Sequence, residues 1–319
     1  MAPPLPWSAS DVPHLAHDDT LKVSDVQAKG THNSYHVETP GNNVPDWHYT
    51  MPALDHQLGA DGCRQLELDL HLGSLDDADF LIHHLDFLDE ETNCKTLREC
   101  LTLIGTWSGA HPGHLPIYIQ LEPKNGFTPD DPEGFFTKLE DQIHSVLVPE
   151  RIITPDEVQG SAQTLGEAVS TKGWPTFATT RGRIIFAFDD HDMVRDAYSH
   201  GGTTLAGRLL FVDSAPGEDL AAVAILNDPT DTASISAALA AGMIVRTMSD
   251  DPTDDDATAS AGLTAALASG STWISTNFPE PVDFRAFYFG DLPGGSPARC
   301  NPVTAPASCT SADLEALAP

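Results

Sequence analysis

Arg64-Gln65-Leu66-Glu67-Leu68-Asp69-Leu70-His71 alternates without a break between apolar and polar residues. A period of two is the signature of a strand, with Leu66, Leu68 and Leu70 on one face and Gln65, Glu67, Asp69 and His71 on the other. The apolar face fits against helices. The other face carries two carboxylates ~7 Å apart along the strand. Buried carboxylates repel each other unless protonated, paired or bound to a cation. The alternative, a surface strand with a wet polar face, is less economical because the device recurs. Ile117-Tyr118-Ile119-Gln120-Leu121-Glu122-Pro123-Lys124 alternates in the same way and ends in Glu122 and Lys124.

Further strand-like stretches are Val23–Ala28, Phe80–His83, Arg183–Phe188, Leu209–Asp213, Met243–Met248 and Trp273–Phe278. Helical patterns fill most of the gaps: Pro52–Ala60, Thr96–Trp107, Pro132–Val146, Ser161–Ser170, Asp192–Ser199, Asp219–Leu226, Thr232–Ala241 and Asp256–Ser269. The gap Leu72–Asp79 is too short for a helix. Eight strands alternating with helices predict an irregular (β/α)8 barrel, with an eight-stranded doubly wound sheet as the alternative. One catalytic barrel domain over residues 1–319 is expected, with an irregular Pro- and Asp-rich arm at 1–20 and a loop-rich extension at 290–319.

The chain carries 47 acidic and 16 basic residues, for a formal net charge of −31. Such a field repels nucleic acid and anionic lipid but attracts cations. Most of these carboxylates need no explanation beyond solubility or adaptation to salt. No apolar run approaches the ~18 residues of a membrane-spanning helix. Of five cysteines, Cys94 with Cys100 and Cys300 with Cys309 lie close in sequence, and neither spacing is that of a zinc site. Two small disulfide loops, with Cys63 buried and reduced, imply an oxidising compartment. Met1-Ala2-Pro3-Pro4 lacks the charged and apolar regions of a signal peptide. A mature secreted chain, its leader removed and Met1 added, is expected, acting as a monomer.

Gly30-Thr31-His32-Asn33-Ser34-Tyr35 places a histidine and an asparagine where a strand gives way to a loop broken by Pro40, Gly41 and Pro45. Catalytic groups occupy that position in barrels and open α/β sheets. Asn33, Glu67, Asp69 and Glu122 together offer an all-oxygen donor set that suits calcium and, lacking His and Cys, argues against zinc. Phe80-Leu81-Ile82-His83-His84 brings a second histidine to a strand end. Two histidines flanking a phosphodiester form an acid–base pair. Taken singly, each histidine is one of 14 and reads as inert.

Gly30–Tyr35, Glu67-Leu68-Asp69, the strand ending in His83, and Glu122 together resemble the catalytic barrel of phosphoinositide-specific phospholipase C. Cys94-x5-Cys100-Leu101, Trp107-Ser108, His114-Leu115-Pro116-Ile117, Ile274-Ser275-Thr276 and Pro293-Gly294-Gly295-x3-Arg299-Cys300-Asn301-Pro302-Val303 are similar to the calcium-dependent group of that family. The resemblance runs from about Val23 to Cys309. It implies His32 and His83 as the acid–base pair, with His84 adjacent, and Asn33, Glu67, Asp69 and Glu122 as calcium ligands. Metal-free bacterial relatives carry an arginine where Asp69 stands, which places this chain with the calcium users. Lys124 and Arg246 are candidates for contact with the substrate. The implied reaction cleaves phosphatidylinositol to diacylglycerol and a cyclic inositol phosphate during transient contact with a membrane surface. Two other readings are a hydrolase of soluble head groups resembling glycerophosphodiester phosphodiesterases, and a non-catalytic barrel that binds calcium and inositol.

Overall fold

The computed structural model of the chain describes residues 3–285, 288–295 and 297–315; the outermost residues of the expected arm and part of the 290–319 extension lie outside them. Its strands are β1 (Val26–Thr31), β2 (Gln65–His71), β3 (Leu81–Ile82), β4 (Ile117–Pro123), β5 (Ile152–Ile153), β6 (Ile184–Phe188), β7 (Phe211–Val212), β8 (Val223–Ile225), β9 (Ile244–Met248), β10 (Trp273–Thr276) and β11 (Ala298–Cys300). The sheet is a curled parallel one. It runs β7-β6-β4-β2-β1-β10-β9-β8, and its two edges meet at a single parallel bridge between Asp213 and Val223. Ser214 N–H donates to Val223 O, and Asp213 Oδ1 accepts from Ile225 N–H where a ladder bond would otherwise stand. This is the irregular barrel expected from the sequence. The gap beside β6 is shared: β5 pairs with its lower half and β7 with its upper half.

Two elements depart from expectation. Phe80–His83 yields no barrel strand. β3 pairs antiparallel with β2, Leu70 opposite Ile82 and His71 opposite Leu81. A parallel partner needs a crossover of a dozen or more residues, and Leu72–Asp79 is too short for one. The eighth barrel strand is instead β8, inside the stretch Asp219–Leu226 expected to be helical. Leu220–Ile225 is buried throughout. A short strand covered on both faces shows no alternation, so its alanines and leucine read as helix. β1 also sits three residues later than expected, because Val23–Asp25 forms a 3-10 turn. Gly30 therefore lies within the strand, where a Cβ would collide with the Gln65 side chain at 2.0 Å.

The outer faces of β2 and β4 contribute Leu66, Leu68, Leu70, Ile117, Ile119 and Leu121 to one large core. Helices follow where expected, including Leu97–Ala110, Pro132–Val146, Thr232–Ala240 and Asp256–Ser269. Several side chains act here as caps: Asp131, Asp255 and Thr96 accept from backbone N–H groups of the first helical turn, and Glu99 accepts from Lys95 N–H. The interior of the barrel is polar. Gln65, Glu67, Gln120, Arg246 and Ser275 are all buried there, with Tyr118 stacked on Trp273 at 4.3 Å.

Cys94–Cys100 and Cys300–Cys309 are disulfides, and Cys63 is a buried free thiol. Burial pushes that thiol up to about 12, so at pH 8 it holds almost no thiolate, the reactive form. Iodoacetamide is expected to label Cys63 only in denaturant. Native-state labelling at the rate of a free thiol would show the site to be open.

Candidate active site

At the C-terminal end of β1 the chain turns sharply, with Asn33 at φ 44. A left-handed backbone at a non-glycine residue costs energy and persists only where surroundings hold it. Here they do. Ser34 N–H donates to Glu67 O, Ser34 Oγ accepts from Glu67 N–H at 2.8 Å, and Thr31, Ser34 and Gln57 share hydroxyl and amide bonds below. The turn fixes His32 and Asn33 against β2.

His32 Nδ1 lies 2.8 Å from Asn277 Oδ1. An amide oxygen only accepts, so Nδ1 carries the hydrogen and Nε2 keeps its lone pair. The amide is oriented in turn by Asp250: Asn277 Nδ2 donates to Asp250 O and Oδ1, while Asp250 Oδ2 accepts from Ser249, Thr276 and Tyr288. Nε2 stands 3.7 Å from Glu67 Oε1. Burial, then the Arg246 charge, pushes the His32 pKa down to about 4, so the ring is neutral at pH 7.

Glu67, Asp69 and Glu122 come together, each offering an oxygen within 4.8 Å of the others. Burial raises Glu67 to about 7 and Asp69 well above its ordinary value. The two basic residues considered from sequence both reach these carboxylates. Arg246 is fully buried and donates to Glu67 Oε2 at 2.7 Å, to Ser275 Oγ and to Asn227 Oδ1. Lys124 Nζ donates to Glu122 Oε1 and stands 3.2 Å from Asp69 Oδ2. Burial works against the Lys124 charge, but Asp69 and Glu122 outweigh it and raise its pKa. Asp189, tied to Gln120 at 2.7 Å, joins the same group, and burial lifts it to about 7. Glu67, Asp69, Glu122 and Asp189 thus outnumber Arg246 and Lys124. Neither oxygen of Asp69 accepts a hydrogen bond of good geometry. A buried, underbonded carboxylate in an all-oxygen cluster with surplus negative charge is what a hard divalent cation requires. Asn33, bonded to Tyr35 and Tyr49, adds an amide beside it.

The second histidine is less directly placed. His83 stacks on His71 at 3.7 Å, and its Nε2 lies 2.8 Å from Asp86 Oδ1. His71 shares the mouth-facing side of β2 with Glu67 and Asp69, and the β2–β3 register carried one residue further sets His83 opposite Asp69. His84 bonds to Asp89 at 3.0 Å and stands edge-on to Trp47 and His36; its charge, and not that of His83, is among the leading influences on both His32 and Glu67. Burial would raise Asp89, but hydrogen bonds from His36 and His84 pull it below the ordinary range.

A model of one protein family matches residues 71–302, and its description reads phosphoinositide phospholipase C, Ca2+-dependent. The chain belongs to this family. Its members are enzymes, and the matched segment contains His83, Glu122, Lys124 and Arg246, while His32, Asn33, Glu67 and Asp69 precede it. The calcium-dependent phosphoinositol-specific phospholipase C of a Pseudomonas species, in apo form, superposes with a TM-score of 0.62 at 18% identity, covering 89% of this chain and 96% of that one. A myoinositol complex of the Pseudomonas enzyme gives 0.62 at 17%, covering 92% and 100%. The calcium-dependent phosphatidylinositol-specific phospholipase C of Streptomyces antibioticus gives 0.60 at 20%, covering 81% and 95%. At such identities the likeness establishes the fold. No curated protein matches the chain by sequence.

Asn277 and Asp250 escaped the sequence reading, although Asn277 sits one residue past β10, at the rim position that pointed to His32. Asp86 and Asp89 lie in the hairpin after β3, whose geometry no periodicity announces.

Proposed function

We propose that this phospholipase C cleaves phosphatidylinositol to diacylglycerol and a cyclic inositol phosphate. The observation that carries the reading is a neutral His32, its Nε2 lone pair free, beside the oxygen cluster of Glu67, Asp69 and Glu122. Those three residues and Asn33 would hold calcium. Bound there, it would supply positive charge to the phosphate and lower the pKa of the neighbouring inositol hydroxyl. His32 Nε2 takes the proton of that hydroxyl as its oxygen bonds to phosphorus. The bond from phosphorus to the glycerol oxygen breaks, and His83, protonated, gives that oxygen its proton. Asn277 keeps the His32 tautomer that accepts. Lys124, at the rim, turns from Asp69 and Glu122 to the phosphate, whereas Arg246 acts on the reaction through Glu67. We place the enzyme outside the cell, where two disulfides persist, in transient contact with a membrane; no helix among the described residues is long and apolar enough to cross one.

The test is cleavage of phosphatidylinositol vesicles and of soluble glycerophosphoinositol, in excess chelator and after back-titration. Calcium is expected to restore cleavage of the lipid. Magnesium, which demands tighter octahedral geometry, should restore it poorly. Full activity in chelator sinks the calcium requirement. Cleavage of the soluble ester alone sinks the lipid substrate.

A further inference from the structure

The mouth holds a second group of donors, and its chemistry differs from that of the carboxylate cluster. His71, His83 and Asp86 bring two nitrogens and an oxygen within 4.8 Å of one another. We propose that His71 Nδ1, His83 Nε2 and Asp86 Oδ1 form a binding site for a divalent transition cation of the zinc type, separate from the calcium ligands.

The separations suit it. His83 Nε2 is 2.8 Å and His71 Nδ1 3.5 Å from Asp86 Oδ1. Tetrahedral zinc with bonds of ~2.0–2.1 Å places its donors roughly 3.4 Å apart, within the range of these separations; the two rings stack at 3.7 Å, so one of them swings out of the stack for both lone pairs to meet the ion. The protonation pattern is also set. His71 Nε2 lies 2.9 Å from the backbone carbonyl of His83, which only accepts. The hydrogen therefore resides on Nε2, and the Nδ1 lone pair turns towards Asp86. A ring N–H held by a backbone carbonyl is the usual outer support of a metal-bound histidine. Asp86 is supported as well: Asn125 Nδ2 donates to its Oδ2 at 2.8 Å, and the amide cannot flip freely because Asn125 Oδ1 accepts from Leu72 N–H at 2.7 Å. The same Nδ2 lies 3.1 Å from His71 Nδ1, a bond that gives way when a cation takes that lone pair. The Asp86 side chain is 46% exposed while the two rings are buried, which leaves entry from the rim and room for a water as fourth ligand.

Donor type sorts the cations. Imidazole favours zinc, copper and nickel; carboxylate and amide oxygens favour calcium. One mouth therefore selects two ions at two places. A cation on His83 Nε2 occupies the lone pair that would carry the leaving-group proton, so it inhibits calcium-driven turnover; this consequence rests on the role proposed for His83.

The full chain, free of any added histidine tag and stripped with chelator, is titrated with zinc by calorimetry and with cobalt by visible absorption, in saturating calcium. One equivalent is expected to bind, with cobalt giving the intense bands of a four-coordinate site. His71→Ala and Asp86→Ala should each weaken binding by at least ~10-fold. Asp86 is on the surface, so its variant reports on the site even if His71→Ala misfolds. Absence of binding, or binding unchanged in both variants with the metal seated elsewhere, such as at His56, Asp61 and Glu280, overturns the site. Zinc that binds and is lost in the variants, yet leaves turnover unchanged, upholds the site and removes His83 from the role of acid.

Discussion

Replacing His32 by alanine is expected to slow phosphatidylinositol turnover by at least ~10², with calcium binding close to that of the parent enzyme. The carboxylates that hold the cation remain in place, so the loss should fall on kcat. The ring is neutral at working pH because burial and Arg246 hold its pKa near 4, and Asn277 fixes which nitrogen is free. Asn277→Asp tests that arrangement. A carboxylate in place of the amide favours the imidazolium and raises the His32 pKa. Since the base must be unprotonated, the acidic limb of the kcat/KM profile should move to higher pH, and an unmoved limb would refute the arrangement. With His83 as the acid, His83→Ala should also cost at least ~10² and His84→Ala far less; the reverse order would move the role to His84, whose charge acts on His32 and Glu67. A substrate whose leaving group is an activated phenol needs no proton, so it should rescue His83→Ala and leave His32→Ala slow. Near-native rates in both alanine variants, or a dead His84→Ala, would refute the pairing.

The parts of this site legible in the sequence were those carried by long alternating strands. β2 and β4 show their inward face directly, and with it Glu67, Asp69 and Glu122. β8 was hidden because a three-residue strand buried on both sides has no period to read. β3 was misplaced because the length of the preceding loop, and not its own residues, forbids a parallel partner. The eight-strand barrel emerged although one expected strand left it and an unexpected one joined. The ion pairs were illegible for a different reason. Arg246 and Glu67 are 179 residues apart in sequence, and only the order β2-β1-β10-β9 makes them neighbours. The surplus of carboxylates thus turned out smaller than the sequence implied, though still negative. Asn277 illustrates the limit of motif reading: an amide at a strand end means nothing until the histidine it orients is known.

Calcium is expected to stabilise the fold more strongly at pH 8 than at pH 5.5, and Asp69→Asn to abolish most of that difference together with at least ~10² of activity. Burial raises Glu67 to about 7 and Asp69 well above its ordinary value. A carboxyl whose folded pKa exceeds its unfolded value prefers its proton in the folded state. Below the unfolded value of ~4 the two states are protonated alike and the burial of the group costs nothing. As pH climbs from there towards the folded value the cost grows, and it levels off above that value at roughly 3 kcal/mol for Glu67 alone, at 1.36 kcal/mol per pKa unit. The metal-free protein should therefore lose thermal stability between pH 5.5 and pH 8 on account of these two groups. Calcium offsets the charge that protons neutralise at low pH, so its shift in Tm, measured as the difference with and without chelator, should widen as pH rises. Asp69→Asn keeps the shape and removes one charge. Its metal-free form should be at least as stable as the parent at pH 8, and its calcium-dependent Tm shift should shrink towards zero. A parent enzyme whose calcium shift is the same at both pH values, or an Asp69→Asn variant that keeps the full shift, would place the cation away from Asp69.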